Sequence, residues 1–128
     1  MLEQVNLDCR LPKKEYRSVL PELQRRLYDL EKACWDRRIP SIVVFEGWDA
    51  AGKGSAIATL TERLDPRGFK LHAIRAPRTY QKQRPWLWRF WVRIPSYGEM
   101  AIFDASWYGR VLVERVEKLT PKREWRKA

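Results

Sequence analysis

The chain has 128 residues, 45% of them hydrophobic, a size that suits one domain around a single core. Its net charge of +10 points to a polyanionic partner, and on charge alone nucleic acid, nucleotide, inorganic polyphosphate and anionic membrane all stay open. Cys9 and Cys34 lack metal-type spacing, residues 1–10 carry acids without an apolar signal core, and no apolar run nears the ~20 residues that cross a bilayer, so a soluble cytoplasmic protein with free thiols is expected.

Residues 1–12 read as an irregular lead-in ending at Pro12. Across 13–38 the apolar positions Tyr16, Val19, Leu20, Leu23, Leu27, Leu30 and Cys34 recur at spacings of three and four. That is the pattern of an amphipathic helix, or of two helices divided near Pro21. Arg25, Arg26, Asp29, Lys32 and Arg37 then form its solvated face, and Pro40 closes it. Residues 41–46 are a short apolar strand, and 53–64 a helix with Ile57, Leu60 and Leu64 on one side. Asp65-Pro66-Arg67-Gly68 is a turn, after which 69–74 alternate as a second strand containing the lone histidine, His72, read as structural. A basic, proline-punctuated stretch follows, with Arg75, Arg78, Lys82 and Arg84. Residues 86–94 are expected to be helical, 95–98 a turn, 99–104 a third strand and 107–119 a further helix, with Thr120-Pro121 as a helix start. Strands alternating with helices predict a parallel sheet and an α/β fold.

The chemistry concentrates where the first strand ends. Gly47-Trp48-Asp49-Ala50-Ala51-Gly52-Lys53-Gly54-Ser55 contains Gly-x-x-x-x-Gly-Lys between a strand and a helix, the context of a phosphate-binding loop. Its glycines let backbone N–H groups converge on phosphate oxygens, the helix offers its positive end, and Lys53 neutralises the phosphates. Gly54 stands where a metal-binding Ser or Thr is usual, and Ser55 follows one place late. Asp49 is an acid inside an anion-binding loop, which makes sense if it holds a divalent cation or takes a proton from an attacking phosphate oxygen; the plainer reading is an Asp capping its own turn. Asp104 ends the third strand, at the carboxyl edge of the sheet where nucleotide kinases place a magnesium-orienting carboxylate. Between Arg63 and Arg93 nine basic residues meet the single acid Asp65, and Trp86, Trp88, Phe90 and Trp91 point in several directions, so some of them belong to the core.

Taken together these motifs resemble the second polyphosphate kinase family. The stretches that carry the likeness are Phe45-Glu46-Gly47-Trp48-Asp49-Ala50-Ala51-Gly52-Lys53-Gly54, Leu64-Asp65-Pro66-Arg67-Gly68-Phe69, Pro85-Trp86-Leu87-Trp88-Arg89-Phe90-Trp91, and the run from Ile102 to Arg115. The resemblance implies an α/β fold of the phosphate-loop (P-loop) kinase type, three-layer α/β/α with a mostly parallel sheet, with residues 13–128 a partial domain incomplete at its C-terminus. It implies transfer of a phosphoryl group between inorganic polyphosphate and a nucleoside mono- or diphosphate with Mg²⁺. Asp49, Lys53, Asp104 and Arg110 would be the catalytic residues, Asp49 and Asp104 the metal ligands, and residues 47–55 with Arg89 the phosphate and nucleotide contacts. A homo-oligomer is compatible with it, whereas membrane and nucleic acid are not expected partners. The family pattern accounts for Gly54 but has an arginine where this chain has Ala105, which leaves a catalytically impaired polyphosphate- or nucleotide-binding protein as the alternative. A basic nucleic-acid-binding protein ranks last, because it rests on charge alone.

Overall fold

The structure, a computed structural model, describes residues 9–126; the lead-in positions 1–8 and residues 127–128 lie outside the described residues. Residues 9–12 have no regular structure, and α1 then runs unbroken as Lys13–Asp36. Pro21 lies inside α1 without dividing it. The inward stripe of α1 differs from the expected apolar face. Leu20, Gln24, Leu27, Glu31 and Cys34 turn toward the body, and its two fully buried seats are polar, while Tyr16, Val19, Leu23 and Leu30 stay exposed. Both polar seats are engaged. Gln24 Nε2 donates to the Thr59 carbonyl at 3.0 Å and to Glu62 at 2.8 Å, and Glu31 Oε2 accepts the Asp65 N–H at 2.8 Å. Hydrogen bonds thus join half-buried Leu20, Leu27 and Cys34 in tying α1 to the rest of the chain.

Three short parallel strands, β1 (Ser41–Phe45), β2 (Phe69–Ala73) and β3 (Met100–Asp104), form a sheet in the order β1-β3-β2. Their register aligns Ser41, Met100 and Phe69 at one end and Phe45, Asp104 and Ala73 at the other. Ala101, Ile102 and Phe103 of β3 have no solvent exposure. Between the strands lies α2 (Lys53–Thr61), packed against β3, so the fold is α/β with a parallel sheet as expected. Edge positions are less covered: Ile42 on β1 and Leu71 on β2 are about half exposed.

The aromatic helix and the last helix depart from expectation. Only Trp88–Trp91, α4, is helical within 86–94, and the basic stretch contains a short α3, Thr79–Lys82. In place of a helix over 107–119 there is a π-helical segment, Arg110–Glu114, whose widened turns show in Arg115 N–H to Arg110 O at 3.2 Å and Leu119 N–H to Glu114 O at 2.8 Å. A last turn, α5 (Lys122–Trp125), follows Pro121.

Both departures trace to one aromatic cluster. Phe90, Ala101 and Phe103 form its buried centre, with Val44, Ile74, Trp86, Leu87 and Trp107 around them. Phe90 meets Trp107 and Trp86 edge-on, with ring centroids 5.9 and 5.5 Å apart, and Phe103 meets Trp107 at 5.8 Å, the geometry that aromatic quadrupoles favour. The Arg110 guanidinium lies 3.8 Å from the Trp86 ring centroid and pairs with Glu114 at 3.1 Å, while Thr120 bridges the two. These rings and the Arg110 bonds lie where the backbone departs from a regular helix.

Two substitutions test this account. A Cβ at Gly68 would sit 2.5 Å from Glu31 Oε1, and Glu31 is buried and held by the Asp65 amide. Gly68→Ala should therefore lower unfolding free energy by about 1–3 kcal/mol in urea titration; an unchanged midpoint would show that Glu31 gives way freely. Arg110→Ala should cost about 1–2 kcal/mol by the same measure, through the lost stack on Trp86 and the unpaired Glu114. No loss would remove Arg110 from the structural scaffold.

Candidate active site

At the carboxyl edge of the sheet the chain leaves β1 at Phe45 and curls before entering α2. The curl needs three residues in conformations that L side chains rarely adopt: Gly47 at φ 153°, Ala50 at 61° and Gly52 at 88°. Glycine meets that requirement cheaply at two of them, and Gly52 forms the left-handed start of α2, with the Ala56 N–H bonded to its carbonyl at 3.0 Å. Lys53 Nζ folds back over the loop and donates to the Gly47 and Trp48 carbonyls, both at 2.9 Å. Around Gly54 a Cβ would meet nothing within 4 Å, so the missing Ser or Thr at that position reflects no steric demand.

Beside this loop β3 delivers Asp104. The register sets Asp104 level with Phe45 and Ala73, and its carbonyl accepts the Ile74 N–H at 2.9 Å. The next residue, Ala105, turns left-handed at φ 60° and donates its N–H to the Phe45 carbonyl at 3.0 Å, which extends the β1–β3 ladder by one bond. One residue further, the Glu46 carboxylate takes two bonds from Ser106 through the same Oε1, from the backbone N–H at 2.8 Å and from Oγ at 2.6 Å. Ser106 is only 3% exposed, and its Oγ in turn accepts the Tyr108 N–H at 3.3 Å.

A cavity of about 590 Å³ opens over these elements. Gly47, Asp49, Ala50, Ala51, Gly52, Lys53, Gly54, Ser55 and Asp104 all line it, so the structure brings most of the expected residues to one place. Glu46, Ile74, Ala105, Gly109 and Val113 complete the wall. Trp48 does not line it and lies 77% exposed at the outside of the loop. Arg89 and Arg110 are not part of the wall either. Arg89 is buried, donates from Nη2 to the Arg75 carbonyl at 2.5 Å, and lies over Trp86 and Phe90. Burial, aided by nearby Arg93, pulls its pKa below the ordinary guanidinium value. Arg110 is occupied by Trp86, Glu114 and Thr120. Arg110, expected as a catalytic residue, and Arg89, expected as a phosphate or nucleotide contact, both lie against Trp86. Of the basic stretch, Arg75, Arg78, Lys82 and Arg84 are exposed.

Glu46 and Ser106 carried no assignment in the sequence. Their signal was positional: a polar residue one place past β1 and another two places past its parallel neighbour β3, where side chains can meet across the strand ends. Among the described residues no three His, Cys, Asp or Glu side chains cluster tightly enough to hold a metal by themselves, and no helix is long and apolar enough to cross a membrane.

Residues 10–128 match the family model described as Polyphosphate kinase 2 (PPK2). The chain is 47% identical over 113 residues to a polyphosphate:AMP phosphotransferase of Acinetobacter johnsonii, covering 88% of this chain and 23% of that protein. It is 43% identical over 128 residues to the polyphosphate:AMP phosphotransferase of Pseudomonas aeruginosa, covering all of this chain and 26% of the relative. Among solved structures, polyphosphate kinase 2 from Arthrobacter aurescens superposes with a TM-score of 0.89 at 25% identity, over 99% of this chain and 48% of the other. The chain thus spans about a quarter of the length of these two curated relatives. A phosphate loop on the first strand, an acid on its central neighbour and the match across nearly the whole sequence lead to one conclusion: the chain belongs to the polyphosphate kinase 2 family.

Proposed function

We propose that this chain carries the phosphate-gripping half of a phosphotransferase site, one that moves a phosphoryl group between inorganic polyphosphate and a nucleoside mono- or diphosphate. The supporting observation is the cavity in which Lys53 and the converging loop backbone face Asp49 and Asp104. Relatives are named for AMP, ADP or GDP together with polyphosphate, which supports the substrate class without selecting a nucleotide.

In this reading the loop N–H groups and Lys53 hold the phosphates, Lys53 through the ammonium donor that its two carbonyl bonds leave over. Asp49 and Asp104 fit a magnesium ion, because Mg²⁺ is commonly held by one or two carboxylates and fills its octahedron with water and substrate phosphate oxygens. Bound there, the ion would supply charge neutralisation for the transferring phosphoryl group. The chain's own part is alignment: phosphoryl transfer through a loose transition state asks mainly for in-line placement and charge stabilisation. Exposed Arg75, Arg78, Lys82 and Arg84 provide basic surface for the remainder of a polyphosphate chain.

Ala105 favours the second reading, a binding protein with impaired turnover. It lines the cavity, so an arginine at that position would start from the cavity wall.

The deciding assay mixes the 128-residue chain with long-chain polyphosphate, Mg²⁺ and AMP or ADP and follows ADP or ATP. Product should exceed that of Lys53→Ala; if it does not, while polyphosphate is still bound, the binding reading replaces the enzyme reading. Binding itself should weaken steeply with salt, since lysine and arginine contacts to phosphate release counterions, and salt-insensitive binding would count against both readings. Ala105→Arg should raise turnover by roughly tenfold or more if the missing group stabilises transition-state charge. An unchanged rate in a folded variant would show that Ala105 is not the limiting defect.

A further inference from the structure

We infer that Glu46 is a positioning residue: through Ser106 it fixes the segment that follows Asp104 against the root of the phosphate loop. This inference rests on the phosphate-and-cation reading of the cavity given above.

The position of Glu46 is otherwise hard to explain. The cavity already holds two carboxylates, Asp49 and Asp104, facing one ammonium, and a third acid beside bound phosphate repels it. Yet Glu46 lines the same wall. What it does there is shown by its bonds. A single oxygen, Oε1, receives both the N–H and the hydroxyl of Ser106, at 2.8 and 2.6 Å. Both bonds are short, and they link residues 60 positions apart in sequence.

The link falls at the one place where it controls geometry. β1 and β3 are tied by backbone bonds up to Ala105 N–H to Phe45 O, and beyond that bond the two chains diverge. Glu46 begins the phosphate loop, and Ser106 stands two residues after Asp104. The pair therefore adds one more rung past the last backbone rung, made by side chains. With Ser106 Oγ also accepting from Tyr108 N–H, the rung extends into the turn that leads to Gly109 and the π-helical segment, and Gly109 is itself part of the cavity wall. Without the rung, Asp104 and the phosphate loop would share only their strand ends as a common reference. The spacing between the Asp104 carboxylate and the loop's phosphates would then be free to vary. Lys53, by contrast, bonds to its own loop and does not depend on the rung.

That asymmetry supplies the test. Binding of tripolyphosphate to the full 128-residue chain is measured by calorimetry with and without Mg²⁺, together with amide hydrogen exchange at Ser106. Glu46→Ala should weaken the Mg²⁺-dependent part of binding by about tenfold or more, the scale on which outer partners of ligating groups act, while the Mg²⁺-free part holds or strengthens, an acid having left the cavity wall, and Ser106 exchange quickens. Glu46→Gln keeps the acceptor oxygen and should restore most of the Mg²⁺-dependent binding. Ser106→Ala, which removes the Oγ bonds to Glu46 and from Tyr108 but keeps the backbone N–H bond to Glu46, should give an intermediate loss and carries the test if Glu46→Ala fails to fold. The inference is overturned if Glu46→Ala binds as the unsubstituted chain does, or loses both parts of the binding equally. It is also overturned if Glu46→Gln is as damaged as Glu46→Ala, which would make the charge, not the bond, the working element. An unsubstituted chain that binds tripolyphosphate with no response to Mg²⁺ would instead sink the cation reading itself, and the inference with it.

Discussion

The parallel alignment of β1 with β3 is the constraint on which the rest depends. Phe45 and Asp104 lie opposite one another at the same edge of the sheet, and each is followed at once by a turn that lines the cavity. β3 is held on both sides, by β1 and by β2, and its middle three residues are wholly buried. A slip of one residue would turn every β3 side chain to the other face. It would carry Phe103 out of the aromatic cluster and Asp104 away from the cavity in the same step. Packing and site geometry are thus fixed by one decision about register.

A second theme is where the arginines lie. A guanidinium lays its face on an indole while the N–H groups at its edge reach oxygen acceptors. Here Arg89 and Arg110 lie among Trp86, Phe90, Glu114 and Thr120, leaving Lys53 as the cation that faces the cavity among the residues expected there. The surface arginines and lysines of the 75–84 stretch are exposed instead. Positive charge in this chain is divided between scaffold and surface, with little of it in the cavity wall.

The strands, α2 and the loop were legible because each is written locally. β-Branched runs, a turn rich in Asp, Pro and Gly, and a glycine-bracketed lysine speak for themselves within a dozen residues. The parts that were not legible are decided by partners far away in sequence. The inward face of α1 is bonded to Thr59, Glu62 and Asp65, so its fully buried seats are Gln24 and Glu31, with Leu20, Leu27 and Cys34 of the expected stripe half-buried beside them. The helix expected after β3 opens into π turns, while Arg110 at its start sits over Trp86. Asp49, Lys53 and Asp104 could be named from the sequence because motif and strand end mark them, while Glu46 could not, since its partner stands 60 positions away.

The resting pose of Lys53 carries a consequence for any anion that arrives. Two of the three N–H donors of its ammonium go to the Gly47 and Trp48 carbonyls, so the side chain is pinned across its own loop and a third donor remains. A long, flexible side chain held at two points has given up most of its rotamer freedom on folding. Ligation at this loop therefore asks for little further ordering of Lys53, and its charge stands ready where the loop enters α2.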